Sequence, residues 1–286
     1  MHLSLFWGPQ TFIGRFLRLR AGANPLIAIL IAMQGIVGST LYGAESSSIQ
    51  VFRVLTYNIH HAEGLDGKVD LARIAKLIKE QRADIVGLQE VDKGTTRTQK
   101  RDLPAELAAL TGMACVFSNN FSFQGGEYGN AILTRFPVTS ATNHHYRMLR
   151  PGEQRGLLQV VLDLHGRKFL FANTHIDYRP DDAERLSNVE EIRGILGLAG
   201  SMPLILCGDF NDVPASRTYA KLADFLEDSW TRAGVGEGLT IPAETPRKRI
   251  DFIWTRKGSS LKVRSINVLN SNASDHLPVI AEFQLE

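Results

Sequence analysis

Residues 204–211 read Leu204-Ile205-Leu206-Cys207-Gly208-Asp209-Phe210-Asn211. Four consecutive apolar side chains behind Pro203 suit a short strand covered on both faces. The run breaks at Gly208, and an acid and an amide follow at once. The same event recurs along the chain. Val51 to Asn58 alternates apolar and polar residues and ends in a polar cluster, and Ile85 to Leu88 runs into Gln89 and Glu90. Lys168 to His175 closes on a histidine, and Asp275 with His276 stands before the apolar Pro278 to Leu285. Strand ends are rigid platforms, so a set of them can aim several polar side chains into one cleft.

Between these runs the texture alternates. Val69 to Gln81 places Leu71, Ile74, Ala75 and Ile78 on one helical face, and Asp102-Leu103-Pro104 reads as a helix start with Pro in its first turn. Asp181 to Leu198 and Ser216 to Leu226 read as further helices. Candidate strands are Met113 to Phe117, Ala131 to Thr134, Val138 to His144, Leu157 to Leu164, Ile250 to Trp254 and Leu261 to Val268. His165-Gly166-Arg167 makes a tight hairpin connection between two of them. No repeat or low-complexity linker follows Ser48, so one mixed α/β domain over residues 45–286 is expected. Two packed sheets with outer helices are the economical way to cover every sheet face.

Composition is that of an ordinary globular chain: 286 residues, 44% hydrophobic and 22% charged. The N-terminus differs. Arg15, Arg18 and Arg20 precede an apolar run from Leu26 to Val37, and small residues lead to Gly43 and Ala44. These are the parts of a secretory signal, although Tyr42 is a poor residue three back from a cut after Ala44. Residues 1–44 are therefore read as a signal peptide or an N-terminal membrane anchor, with the rest exported to a periplasmic or secreted location. Loss of that segment removes three Arg and no acid, turning the formal charge of +2 into −1. Nothing global then draws the domain to a polyanion. Cys115 and Cys207 both sit in apolar strand-like runs, outside any zinc spacing, and are expected as buried free thiols.

Carboxylates and amides of this kind suit a hard cation, which takes a few protein oxygens and completes its shell with water and phosphate. Each piece alone has a plainer reading. Asn58 could cap a turn, Glu90 could be a solvated loop acid, and Asp209 with Asn211 could form an Asx turn. Joint occurrence at successive strand ends raises the functional reading above these.

Five runs carry a family resemblance: Thr56-Tyr57-Asn58, Leu88-Gln89-Glu90-Val91, Gly129-Asn130-Ala131-Ile132-Leu133, Gly208-Asp209-Phe210-Asn211 and Ser274-Asp275-His276-Leu277-Pro278. Asn173-Thr174-His175 and Arg249-Ile250-Asp251-Phe252-Ile253 add to them. In this order they resemble the endonuclease/exonuclease/phosphatase superfamily, of DNase I-like fold, over essentially all of Val51 to Glu286. The resemblance implies a four-layer α/β sandwich, two packed mixed β-sheets flanked by helices, acting as a divalent-metal-dependent phosphoesterase with Mg²⁺ or Mn²⁺. It implies Glu90 as the principal metal ligand, assisted by Asn58 and with Asp275 taking part. Asp209 would orient the attacking water and Asn211 bind the phosphate. His276 would pair with Asp251, and His175 would approach the phosphate from the other side.

Arg155, at a strand start on the presumed site side, and Tyr128, before the Gly129-Asn130 strand, are further candidates for substrate contact. Arg97, Lys100 and Arg101 form a basic loop that could contact phosphate or simply be solvated. Nucleic acid, a phospholipid head group and a small phosphoester all stay open as substrates, so a nuclease and a sphingomyelinase-like phosphodiesterase are alternatives. A non-catalytic scaffold keeping the fold would be expected to have lost Glu90, Asp209 or His276, and all three are present. No obligate protein partner is implied, and a monomer is the default.

Overall fold

The computed structural model describes residues 4–6 and 50–285. The described residues belong to one compact unit. The expected leader, including its apolar run, lies outside the described residues except at Ser4–Phe6. No helix of the described residues is long and apolar enough to cross a membrane.

Thirteen strands are assigned among the described residues: β1 (Ser4–Phe6), β2 (Gln50–Asn58), β3 (Ile85–Lys93), β4 (Ala114–Phe123), β5 (Gly126–Thr134), β6 (Val138–His145), β7 (Gly156–Leu164), β8 (Arg167–His175), β9 (Leu204–Asp209), β10 (Leu226–Asp228), β11 (Asp251–Arg256), β12 (Leu261–Val268) and β13 (Val279–Leu285). They form two mixed sheets, ordered β1-β4-β5-β3-β2-β13-β12 and β10-β11-β9-β8-β7-β6. The first has six strands from residues 50–285 plus the edge strand Ser4–Phe6, which pairs antiparallel with β4. The parallel pairs are β2 with β3 and β8 with β9.

Three apolar clusters account for four layers. Phe52, Val54 and Ile85 of the first sheet meet Phe169, Phe171 and Ile205 of the second in the centre. On the outer face of the first sheet, Leu55, Tyr57 and Leu88 pack on helices α1 (Leu71–Glu80) and α2 (Leu103–Thr111). On the outer face of the second, Leu170, Ala172 and Leu206 pack on α3 (Ala183–Gly197) and α4 (Arg217–Ala223). The expected four-layer α/β sandwich is what the chain forms.

Sequence patterns placed most elements within a few residues. Asp70 and Asp102 cap α1 and α2 by accepting from Ala72 and Ala105 backbone N–H groups. His165 and Gly166 both have positive φ, as the two-residue hairpin turn between β7 and β8 requires. Three expectations change. The strand expected to end at Leu88 runs on to Lys93, with Glu90 at a register shift inside it, because β5 pairs with residues 91–93 as well. The helix expected to reach Leu226 stops at Ala223, and Leu226 starts β10, paired with β11. The strand expected to end near Phe117 continues to Phe123, because β5 pairs with it along its whole length. Cys115 and Cys207 are buried free thiols.

The period of two along each strand explains where the site falls. In β2, Phe52 and Val54 face the opposite sheet, and Asn58 has the same parity. In β8, Phe169 and Phe171 precede Asn173 and His175; in β9, Ile205 and Cys207 precede Asp209; in β11, Ile253 follows Asp251. One face of each strand is thus apolar in the centre of the sandwich and polar at one end. A polar layer marks the change. Gln89 donates to Asn173 Oδ1 at 2.6 Å and to Thr56 Oγ1 at 3.1 Å, and Asn173 donates to the carbonyls of Leu88 at 2.8 Å and Ala131 at 3.0 Å.

Candidate active site

Glu90 breaks the parity rule. Leu88 and Val91 face the outer helices, so a regular strand would send the side chain at 90 away from its observed partners. The β3–β5 register shifts between Leu88 and Val91, and Glu90 has φ +58. This bulge with a left-handed residue re-aims the carboxylate toward the polar end of the sandwich. Asn58 donates from Nδ2 to Glu90 Oε1 at 3.0 Å and to Asp209 Oδ2 at 3.0 Å. Its own oxygen accepts the His60 N–H at 3.1 Å, where the chain turns through left-handed His60, His61 and Ala62.

Asp209 stands at the centre of the group. Its Oδ1 accepts the Asn211 backbone N–H at 2.9 Å. Its Oδ2 lies 3.5 Å from His175 Nε2 and 3.7 Å from His276 Nε2. Gly208 is required beneath it, since a Cβ there would sit 1.9 Å from the Thr174 carbonyl oxygen across the β8–β9 pairing. Burial, then the charge of Asp251, raises the Asp209 carboxyl above its ordinary range, while His276 opposes the rise.

Asp251 Oδ2 is 2.9 Å from His276 Nδ1. Burial alone would lower His276, but Asp251 and Asp209 outweigh it and push the imidazole up to about 10. The proton shared in this buried group therefore rests on His276 near neutrality. His175 is held in the opposite state. Burial, then the Arg155 guanidinium, keeps it well below its ordinary value. Arg155 Nη1 donates to His175 Nδ1 at 3.0 Å. A guanidinium has no acceptor, so the proton of the neutral ring sits on Nε2. The acceptor facing that N–H is Asp209 Oδ2, 3.5 Å away; the Asn211 amide nitrogen, 2.9 Å from the ring, donates to the Ile176 carbonyl.

These groups line a cavity of about 300 Å³ whose walls include Glu90, His175, Asp209, Asn211 and His276. Asp251 lies behind His276. Asp275 stands at the margin: it accepts from Ser274 Oγ at 3.2 Å, lies 3.9 Å from His60 Nδ1 and is 46% exposed at its side chain. Ser274, which also donates to the Asn58 carbonyl at 2.8 Å, ties this segment to the end of β2. Arg155 and Tyr128 do reach the cavity. Arg155, however, is already engaged by His175 and by Glu153 at 2.8 Å, and Tyr128 is buried against it. Arg101 pairs with Glu106 and Lys100 donates to the Gln124 and Gly125 carbonyls, whereas Arg97 lines the cavity.

Sequence reasoning did not single out Phe121, Phe123, Glu153 or Tyr178 as cavity residues. The one available signal was the Phe121-x-Phe123 spacing, and it could not be placed without knowing that β4 runs on past Phe117.

The donor chemistry fits a divalent cation. Glu90 and Asp209 are two carboxylates held through one amide, and the Asn58 oxygen has a second lone pair to offer. Asp209, Asp251 and His276 also bring ligand atoms within 4.8 Å of one another. Asp251 Oδ1 is buried without a hydrogen-bond partner among the described residues.

Carboxylates, amides and two unlike histidines thus converge at one end of a two-sheet sandwich. The chain belongs to the Endonuclease/Exonuclease/phosphatase family, whose model matches residues 55–276. It is similar to the Escherichia coli protein YbhP, itself uncharacterized, at 26% identity over 82% of this chain and 96% of that one. It is similar to a Caenorhabditis elegans 5′-tyrosyl-DNA phosphodiesterase at 25% identity over 81% of this chain and 60% of that one. Among solved structures, an endonuclease/exonuclease/phosphatase from Beutenbergia cavernae superposes with a TM-score of 0.68 at 26% identity, over 82% of this chain and 72% of the other.

Proposed function

We propose that the chain is a divalent-metal-dependent phosphoesterase that cleaves a phosphodiester or phosphomonoester by in-line attack of water. The observation that supports this best is the pairing of opposite charge states around one carboxylate. Asp251 favours the charged form of His276, burial and then Arg155 favour the neutral form of His175, and Asp209 lies between them. Phosphoryl transfer depends on charge neutralisation and positioning more than on covalent help, and this arrangement offers both.

In this reading Glu90 and Asn58 hold Mg²⁺ or Mn²⁺, with Asp275 contributing from the margin. The ion would neutralise charge on the phosphate oxygens when bound. Asp209 accepts a proton from the attacking water, for which its raised carboxyl is suited. Asn211 and the Nε2–H of His175 donate to phosphate oxygens. His276 supplies positive charge and a proton on the far side, and Asp251 keeps its ring in one orientation.

Hydrolysis of bis(p-nitrophenyl) phosphate and p-nitrophenyl phosphate, with Mg²⁺ or Mn²⁺ and with EDTA, tests the proposal. Metal-dependent release of nitrophenolate from either supports it. Inertness toward both, and toward plasmid DNA and sphingomyelin, would favour a scaffold that keeps the fold. The E. coli and C. elegans relatives do not select among a nucleic acid, a phospholipid head group and a small phosphoester.

We also propose that residues 1–44 export the domain, on the basic and apolar order of that segment. Mass spectrometry of the exported protein separates a cleaved signal from a retained anchor.

A further inference from the structure

Four aromatic rings stand outside all three apolar clusters of the sandwich: Phe121, Phe123, Tyr128 and Tyr178. They line the catalytic cavity instead. Phe121 and Tyr128 have ring centroids 5.0 Å apart, and Phe123 lies 6.0 Å from Phe121 and 6.2 Å from Tyr128. These three form one wall, on the β4–β5 hairpin of the first sheet. Tyr178, 57% exposed, follows β8 of the second sheet. Phe121 and Phe123 are only partly buried and border the cavity, and buried Tyr128 packs against both; aromatic side chains so gathered around a polar site present π surface for a ligand.

The wall is rigid. The hairpin tip at Gln124 is bound by the loop after β3: Thr96 N–H donates to the Gln124 carbonyl at 3.2 Å, and Arg97 N–H to Gln124 Oε1 at 2.9 Å. Arg97 grips buried Asp92 with two bonds, at 2.7 and 2.8 Å, and its guanidinium stacks 4.7 Å from the Phe123 ring centroid. A surface fixed before binding loses little freedom when a ring settles on it. The cavity volume of about 300 Å³ is at the low end for sites that enclose one small organic molecule.

We infer that the wall of Phe121, Phe123 and Tyr128 is a recognition site for a flat aromatic ring carried by the phosphoester substrate. This rests on the phosphoesterase reading above for the position of the phosphate. The ring could be a simple aryl group or a nucleobase; both offer the same π face.

Calorimetric titration of the full chain with Mg²⁺ tests it. Phenylphosphonate and methylphosphonate carry the same anionic group and have no ester to cleave. Phenylphosphonate is expected to bind about tenfold tighter, the size of one stacking contact. That ratio is expected to fall toward one in the Phe121→Ala/Phe123→Ala double variant. A Phe121→Leu/Phe123→Leu variant keeps the apolar bulk, guards against misfolding and is expected to lose the ratio as well. Equal affinities in the wild type, or a ratio that survives both variants, would overturn the inference. A parallel pair, the methylenephosphonate analogues of a nucleoside 5′-phosphate and of ribose 5-phosphate, separates the two sources. Preference for the nucleoside assigns a nucleobase, and preference in the phenyl pair alone assigns an aryl group. Binding and turnover are read separately. An active enzyme with no ring preference loses only this inference, and a ring-binding chain that hydrolyses nothing loses only the reaction.

Discussion

Asp251 Oδ2 stands 2.9 Å from His276 Nδ1, and this one contact decides which nitrogen of the ring faces Asp209. With Nδ1 committed to Asp251, Nε2 is turned toward Asp209 Oδ2, 3.7 Å away. The orienting acid comes from the start of β11 and the histidine from the loop before β13, 25 residues apart in sequence.

Asp251→Asn should move the pH dependence of the reaction. Asp251 and Asp209 raise His276 to about 10 against the pull of burial, so its charged form persists through neutrality and is lost as pH rises toward 10. The stability linked to that charge is complete below the unfolded value near 6.5 and disappears on the same alkaline climb. Without the Asp251 charge the ring should titrate nearer its ordinary value, and the alkaline limb of the rate should shift down toward neutrality. The rate at the optimum should drop by about 10²–10⁴-fold. An alkaline limb left where the wild type has it would contradict the pairing as the cause.

Arg155→Met removes the donor at His175 Nδ1. Burial, with Arg155 next in importance, now depresses that histidine. A depressed histidine stays neutral in the fold while the unfolded chain takes up a proton, so stability is lost as pH falls below about 6.5. In the variant His175 should titrate at higher pH, and the acid-side loss of stability should shrink. Imidazole NMR resonances of the metal-free chain, with denaturation midpoints between pH 7 and 5, measure both.

Glu90→Gln should separate metal binding from folding. If Glu90 holds the cation, Mg²⁺ should raise the melting temperature of the wild type in a concentration-dependent way and leave the variant unmoved. Turnover should fall by at least about 10²–10³-fold. A wild-type-like thermal response in the variant would place the metal elsewhere.

Gly87→Ala probes the approach of the two sheets. A Cβ at Gly87 would lie 2.4 Å from Cys207 Sγ and 3.1 Å from the Asn173 amide. Overpacking of this kind costs about 1–3 kcal/mol, and here it also presses on the Gln89–Asn173 layer beneath the site. A lowered urea midpoint is expected. An unchanged one would mean that the sheets can part without cost.

Much of the fold was legible because its signals are local. The caps at Asp70 and Asp102, the His165-Gly166 turn and the apolar runs of β2, β8 and β9 each act within a few residues. Leu226 was misread because an apolar residue after a helix carries no mark of which element it joins; pairing with Arg256 on β11 makes it a strand residue. The extension of β4 to Phe123 likewise depends on a partner strand.

The sequence by itself determined the four layers and the polar residues carried by the central strands, Asn58, Glu90, His175 and Asp209. Periodicity and strand-end chemistry are properties of neighbouring residues. Only the tertiary structure decided the charge states and the shape of the site. Burial, with Arg155 before β7, keeps His175 neutral, Asp251 on β11 favours the charged His276, the bulge at Glu90 turns its carboxylate inward, and the hairpin brings Phe121 and Phe123 to the cavity. Each of these is an interaction between segments far apart in sequence, where burial and proximity of charge, rather than residue type, set the chemistry.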